Sequence, residues 1–123
     1  MPHARPTTDR AKESVFNILD QHFYWENLDV LDLYSGLGSL ALESYSRGAK
    51  SVDAVDKNIK SIKYIAETAK EWGADIKVHK ADVLKFLKKC SNQYDLVFAD
   101  PPYNRSDLLL ETIQVVKEEW ILK

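Results

Sequence analysis

The chain has 123 residues and a formal net charge of -2, with 45% hydrophobic, 29% charged and 11% aromatic residues. That is enough for one globular core and too little for two ordinary domains, and only 4 Gly and 4 Pro exclude a fibrous or low-complexity chain. No apolar run approaches the about 20 residues of a membrane span, the opening MPHARPTTDRAKES lacks an apolar signal segment, and a lone Cys90 has no intrachain disulfide partner, so a soluble cytoplasmic protein is expected.

A helix is predicted to begin near Asp9, after the stop and cap residues Pro6, Thr7 and Thr8. Its apolar positions are Val15, Ile18 and Leu19, with Phe16 and Phe23 alongside. Leu28 to Tyr34 (LDVLDLY) reads as a short buried strand. After Ser35-Gly36-Leu37-Gly38, a helix runs from Ser39 to Arg47 and closes at Gly48. Ser51 to Val55 is a second strand. Lys57 to Trp72 follows as an amphipathic helix with Ile59, Ile62, Ile65 and Ala66 inward, ended by Gly73. Ile76 to His79 is a third strand and Val83 to Lys89 a short helix. Tyr94 to Ala99 (YDLVFA) is the most apolar strand, and a last helix covers Ser106 to Glu119 with Leu109, Leu110, Ile113 and Val116 on one side. Strands alternating with helices at this spacing predict βαβ units, a mainly parallel sheet and helices on both faces. The expected architecture is a single α/β domain over 1–123.

Ligands of such sheets bind beyond the carboxyl ends of the strands, which singles out four segments. The first is Asp32 to Gly38, where Gly36 and Gly38 let the backbone turn tightly and approach a ligand, and Gly36-x-Gly38-x-x-Ala41 fits the dinucleotide fingerprint. The second is Asp56, 18 residues after Gly38, whose carboxylate can accept two hydrogen bonds from a ribose diol. These two suit a dinucleotide enzyme and an S-adenosylmethionine (AdoMet) enzyme equally. The third is Ala81-Asp82-Val83, where Asp82 either accepts from an adenine amino group or caps the next helix, and both roles can coexist. The fourth is Asp100-Pro101-Pro102-Tyr103. Its prolines stiffen the loop and turn its carbonyls outward, so carboxylate, prolyl carbonyl and ring can receive an exocyclic base amine and stack on the base. His3, His22 and His79 show no metal-ligand spacing and read as surface histidines.

Charge is uneven. Nine lysines face four acids between Lys57 and Lys89, while the rest of the chain carries eight basic against fifteen acidic residues. A basic middle suits a polyanion, or is two solvated helix faces and a strand end.

Asp100-Pro101-Pro102-Tyr103 resembles the catalytic motif of amino-group AdoMet-dependent methyltransferases, and Asp32 to Gly38 resembles their first motif. The opening run from Arg5 to Leu19 (RPTTDRAKESVFNIL), with Ser46-Arg47-Gly48-Ala49, is similar to the RsmD-type family, which methylates guanine N2 in 16S ribosomal RNA. The resemblance covers nearly the whole chain and implies a Rossmann-like class I fold. It implies Asp100, Pro101, Pro102 and Tyr103 as catalytic residues. Asp32, Gly36, Gly38, Asp56, Asp82 and the Val83 amide would hold AdoMet, and Arg10, Asn104 and Arg105 would lie near the substrate. Implied partners are ribosomal RNA or a small-subunit assembly particle, with no metal required and no membrane. Family members usually begin with a basic hairpin and continue through three more strands, so the chain looks like a truncated core whose C-terminal strands are missing. Its last strand is then expected to be an exposed apolar edge. A DNA adenine-N6 methyltransferase shares the tetrad, but the Arg-Pro-Thr-Thr-Asp-Arg opening argues against it. An NAD-dependent oxidoreductase would find nothing suited to hydride transfer in the tetrad, and a non-catalytic nucleotide- or AdoMet-binding module stays open.

Overall fold

A computed structural model describes residues 9–102 and 105–123. Pro6 to Thr8, Tyr103 and Asn104 therefore lie outside the described residues. Helix α1 spans Asp9–His22 and leads through a short 3-10 turn, Trp25–Asn27, into strand β1, Asp29–Leu33. Helix α2 is Ser39–Ser46, β2 is Ser51–Asp56, α3 is Ile59–Trp72, β3 is Ile76–Lys80, α4 is Val83–Lys89, β4 is Leu96–Ala99 and α5 is Ser106–Glu118. The elements agree with the sequence reading to within one or two residues, apart from the unforeseen 3-10 turn and the late start of β4.

All three ladders are parallel and the strand order is β3-β2-β1-β4. Alternation along each strand divides the core between the two faces. Val30, Val52, Ala54 and Ile76 point to a layer with Phe16 of α1, Ala41 and Leu42 of α2, and Ile65 and Ala69 of α3. Leu31, Leu33 and Val55 point the other way, onto Val83 and Leu87 of α4, Tyr94, Val115 of α5 and Ile121.

Local chemistry fixes the helix ends. The Asn58 side chain accepts the N–H groups of Lys60 (2.8 Å) and Ser61 (3.3 Å) at the start of α3. At its other end Ala74 N–H reaches back to the Ala69 carbonyl at 2.8 Å beyond Gly73. Asp82 caps α4 by accepting from Lys85 N–H at 3.1 Å.

The helix faces differ from the sequence reading. In α1, Phe16 is the buried anchor, stacked on Trp25 at 5.4 Å and tilted against Phe98 at 5.5 Å, while Val15 and Ile18 are exposed. In α3, Ile65 and Ala69 point inward with Ser61, and Ile59 and Ala66 lie outside. In α5, Thr112 and Val115 are buried, whereas Leu110 is 69% exposed. Polar Thr112 and Ser61 mark the true inward stripes. A count of apolar residues misses them because it discards hydroxyls, although Thr112 satisfies its own by donating to the Leu108 carbonyl one turn back.

Tyr94 does not belong to β4. It forms an isolated parallel bridge with Leu122, its N–H donating to the Ile121 carbonyl (2.8 Å) and its carbonyl accepting from Lys123 N–H (2.9 Å). Among the described residues the outer edge of Leu96–Ala99 has no strand partner. The expected apolar edge is thus present, and the chain's last residues cover its approach without covering β4 itself.

Candidate functional site

Strand register sets the site. Leu33 lies opposite both Val55 and Ala99, so Tyr34, Asp56 and Asp100 leave the sheet at one level. Asp56 lies opposite Lys80, which brings the Ala81-Asp82 turn to the same rim. Three carboxylates of the four proposed segments therefore share the carboxyl edge, and Asp32 lies just inside it, beside Ala54 and Phe98.

Asp32 is buried, and its Oδ2 accepts the Ala41 N–H at 3.2 Å in the first turn of α2. Burial pushes its carboxyl up to about 7; the Ala41 hydrogen bond opposes this, and the charges of Asp56 and Asp100 add to it. An ammonium arriving beside Asp32 would supply the countercharge that neither Asp56 nor Asp100 can.

The glycine loop is tied down by hydrogen bonds. Ser35 N–H donates to the Val55 carbonyl (3.0 Å), Gly38 N–H to the Ser35 carbonyl (2.8 Å), and Gly36 N–H to Asp56 Oδ2 (2.9 Å). Gly36 and Gly38 have φ of +57° and +78°, a region that disfavours side chains. They differ in surroundings. A Cβ on Gly38 would come within 2.7 Å of Ile65 Cγ1, whereas a Cβ on Gly36 would meet nothing within 4 Å. Gly38 serves helix packing, and Gly36 leaves open space beside its backbone.

Asp56 carries a second role that its sequence position does not announce. Besides Gly36, its Oδ1 accepts Asn58 N–H at 2.8 Å, so the carboxylate joins the glycine loop to the start of α3. Two of about four acceptor positions are used, leaving room for a diol. Asp82 is exposed and caps α4, and Val83 begins that helix with its side chain buried and its amide among the N–H groups a helix leaves unpaired.

Asp100 and Pro101 are half-buried at the end of β4 and Pro102 is exposed. The Pro102 carbonyl accepts Arg105 N–H at 3.1 Å, so it closes a turn instead of facing outward as the sequence suggested. Arg105 is exposed and forks onto Asp107 at 3.2 and 3.4 Å, which engages its guanidinium locally. Arg10 is exposed in the first turn of α1 and makes no ion pair with a described residue. The roles read for Tyr103 and Asn104 fall outside the described residues.

Two groups escaped the sequence reading. Tyr34 adopts φ +59° at the end of β1, and its hydroxyl meets Thr112 Oγ1 at 2.7 Å on α5. Since the Thr112 hydroxyl donates to the Leu108 carbonyl (2.7 Å), the tyrosine donates, linking the glycine loop to the helix that follows the proline loop. Tyr94 donates to buried Asp53 at 2.8 Å, and His79 Nε2 stands 3.4 Å from the same oxygen with its ring tilted on Phe86. His79 is therefore half-buried against a carboxylate, not a surface histidine.

Four parallel strands in this order, with acids and glycines on the carboxyl rim, define the class I methyltransferase fold. The solved structure described as "Putative methyltransferase yhhF from Escherichia coli" superposes with a TM-score of 0.87 at 28% identity, covering 98% of this chain and 66% of that one. The family model "Conserved hypothetical protein 95" matches residues 1–123, and the chain belongs to that family, which includes the RsmD-type proteins. It is 32% identical to "Ribosomal RNA small subunit methyltransferase D" of Buchnera aphidicola (subsp. Acyrthosiphon pisum, strain APS), over 100% of this chain and 64% of the relative. It is also 32% identical to the protein of the same name from Escherichia coli K12, over 98% of this chain and 60% of the relative. The chain thus spans about 60% of the length of the curated relatives it matches.

Proposed function

We propose that the chain is the cofactor-binding and catalytic core of a methyltransferase that moves the AdoMet methyl group onto the exocyclic N2 of a guanine in 16S ribosomal RNA. The observation that carries this reading is the common level of Asp56, Asp100 and the glycine loop on one rim, with buried Asp32 behind them. Family membership supports the same reading, as do relatives named ribosomal RNA methyltransferases.

The residues fit the cofactor by their chemistry. Asp32 would face the methionyl ammonium, the open space at Gly36 would admit close backbone approach, the unused acceptors of Asp56 would take the ribose diol, and Asp82 with the Val83 amide would read adenine. AdoMet supplies an electrophilic methyl on sulfonium; a nitrogen–carbon bond forms as the sulfur–carbon bond breaks, releasing S-adenosylhomocysteine. The amine of guanine is conjugated into its ring and is a poor nucleophile. Asp100 and the Pro101 carbonyl accept its N–H groups, align its lone pair and favour the positive charge it develops, and Asp100 is placed to take the released proton. Orientation of this kind contributes up to about 7–11 kcal/mol. Tyr103 stacks on the extruded base.

Two variants test the division of labour. Asp56→Ala removes a charged acceptor whose hydrogen bonds contribute about 1.5–3 kcal/mol, so AdoMet affinity by calorimetry should fall at least about tenfold. Asp56→Asn should retain part of the loop anchoring and separate that loss from a loosened fold. Asp100→Ala should keep AdoMet affinity and abolish tritium transfer from labelled AdoMet to 16S ribosomal RNA. Near-normal transfer by Asp100→Ala, or tighter binding of NAD than of AdoMet, rules the reading out.

A further inference from the structure

The nine lysines between Lys57 and Lys89 are not spread evenly over the molecule. Lys57 follows Asp56 directly, Lys60 lies in the first turn of α3, Lys80 ends β3 opposite Asp56, and Lys85 lies in the first turn of α4. Both helices start at the carboxyl edge of the sheet but pack on opposite faces, α3 with the Ile65 layer and α4 with the Leu87 layer. β3 is an outermost strand, so these four lysines wrap around the outer side of the site from one face to the other.

All four are exposed, and none takes part in an ion pair with a described residue. The acids beside them are Asp56, whose two oxygens each take a backbone N–H, and Asp82, which caps α4. Lys70, Lys77, Lys88 and Lys89 lie toward the other ends of the same elements, where Glu67, Glu71 and Asp75 are interspersed, and they too make no ion pair with a described residue; Lys63 lies one turn further into α3 than Lys60. What sets the four rim lysines apart is position: they border the carboxyl edge where Asp56 and the Ala81-Asp82 turn meet.

We propose that Lys57, Lys60, Lys80 and Lys85 form a phosphate-binding rim that holds the RNA strand flanking the target guanine. This rests on the methyltransferase reading above and specifies how its substrate is held. From the end of β4, where Asp100 lies, to the end of β3 is three strand spacings, about 14 Å. A single strand with one base turned toward Asp100 crosses that span within a few nucleotides, and its backbone meets ammonium groups that need no sequence to recognise it.

The test is binding of a mixed-sequence, guanine-containing single-stranded RNA across a salt series, for the wild type and for the quadruple variant Lys57→Gln, Lys60→Gln, Lys80→Gln, Lys85→Gln. Each lost phosphate contact on a single strand lowers the slope of log affinity against log salt by about 0.7, so the quadruple variant should lose about 3 and each single variant about 0.7. Calorimetric AdoMet affinity should stay unchanged, since none of the four belongs to the cofactor site. A control variant with Lys70, Lys77, Lys88 and Lys89 changed to Gln removes the same charge and should keep the wild-type slope. An unchanged slope in the rim variants, or an equal loss in the control, overturns the rim while leaving the methyltransferase reading intact. Equal affinity for duplex DNA overturns RNA as its partner. A wild type that binds AdoMet but no RNA overturns the rim and the RNA substrate together.

Discussion

Asp32 joins the stability of the fold to the chemistry of its site. Its carboxyl sits near 7 against an ordinary 3.8, raised first by burial. The folded protein therefore holds this proton more tightly than the unfolded chain. The resulting stability is complete below about pH 4 and is lost as pH rises through 7, on the order of 4 kcal/mol in all. Urea unfolding at pH 5 and pH 8 without added AdoMet should show the part of this loss that falls above pH 5, about 3 kcal/mol, in the wild type and not in Asp32→Asn. Parallel profiles for the two proteins would remove the buried charge from the account. The two loop glycines make a second residue-scale contrast. Gly38→Ala drives a methyl into Ile65 at positive φ and should cost about 3 kcal/mol. Gly36→Ala meets only the backbone term, about 1 kcal/mol, and should harm AdoMet binding more than stability. Thermal unfolding and calorimetry on the pair separate the two. Sequence spacing identified both glycines as a loop, but it could not divide packing from ligand approach, because that depends on what Ile65 of α3 presses against.

Between elements, the informative contacts join segments far apart in the chain. Tyr34 at the end of β1 and Thr112 in α5 share a partly buried hydrogen bond of 2.7 Å. A double-mutant cycle of Tyr34→Phe and Thr112→Val should give a coupling of about 1 kcal/mol in urea unfolding. Additive losses would mean that the two hydroxyls act independently. Alternation of strands and helices, the capping Asp82 and the Asp9 helix start were legible because each depends on neighbours in sequence. The inward faces of α3 and α5 were legible only in part: Ile65 and Val116 were read on the core side and lie there, but the rest of the stripe was not. Ser61 and Thr112 are buried in place of larger apolar neighbours, while Ile59, Leu110 and Ile113 face out. The same limit hid Asp53, His79 and Tyr94, three polar residues from three segments that meet only once the sheet is assembled.

At the scale of the described chain, the exposed edge of β4 is the feature expected to decide its behaviour in solution. Its residues alternate correctly between the two layers, Leu96 and Phe98 to one and Val97 and Ala99 to the other, yet all four remain half-exposed. The reason lies in the sheet order, which sets β4 outermost, and in the tail, which bridges only Tyr94 through Leu122. Beside that bridge, Trp120 at 77% and Leu122 at 49% exposure add apolar surface next to an edge that has no strand partner among the described residues. Lys123 is drawn onto Asp29 (3.1 Å) and Asp95 (3.2 Å), so this positive charge is held at the amino edge and does not guard Leu96–Ala99. Edges of this kind recruit other chains unless they are charged, bulged or covered. The 123-residue chain is therefore expected to self-associate, with a weight-average mass in sedimentation equilibrium that rises with loading concentration and a urea midpoint that rises with it. Leu122→Lys, at a position 49% exposed beside the edge, should shift the equilibrium toward monomer, since two copies would then bring like charges together along the paired edges. A monomer that stays monomeric at every concentration would show that α5 and the last residues shield β4 well enough without a second chain.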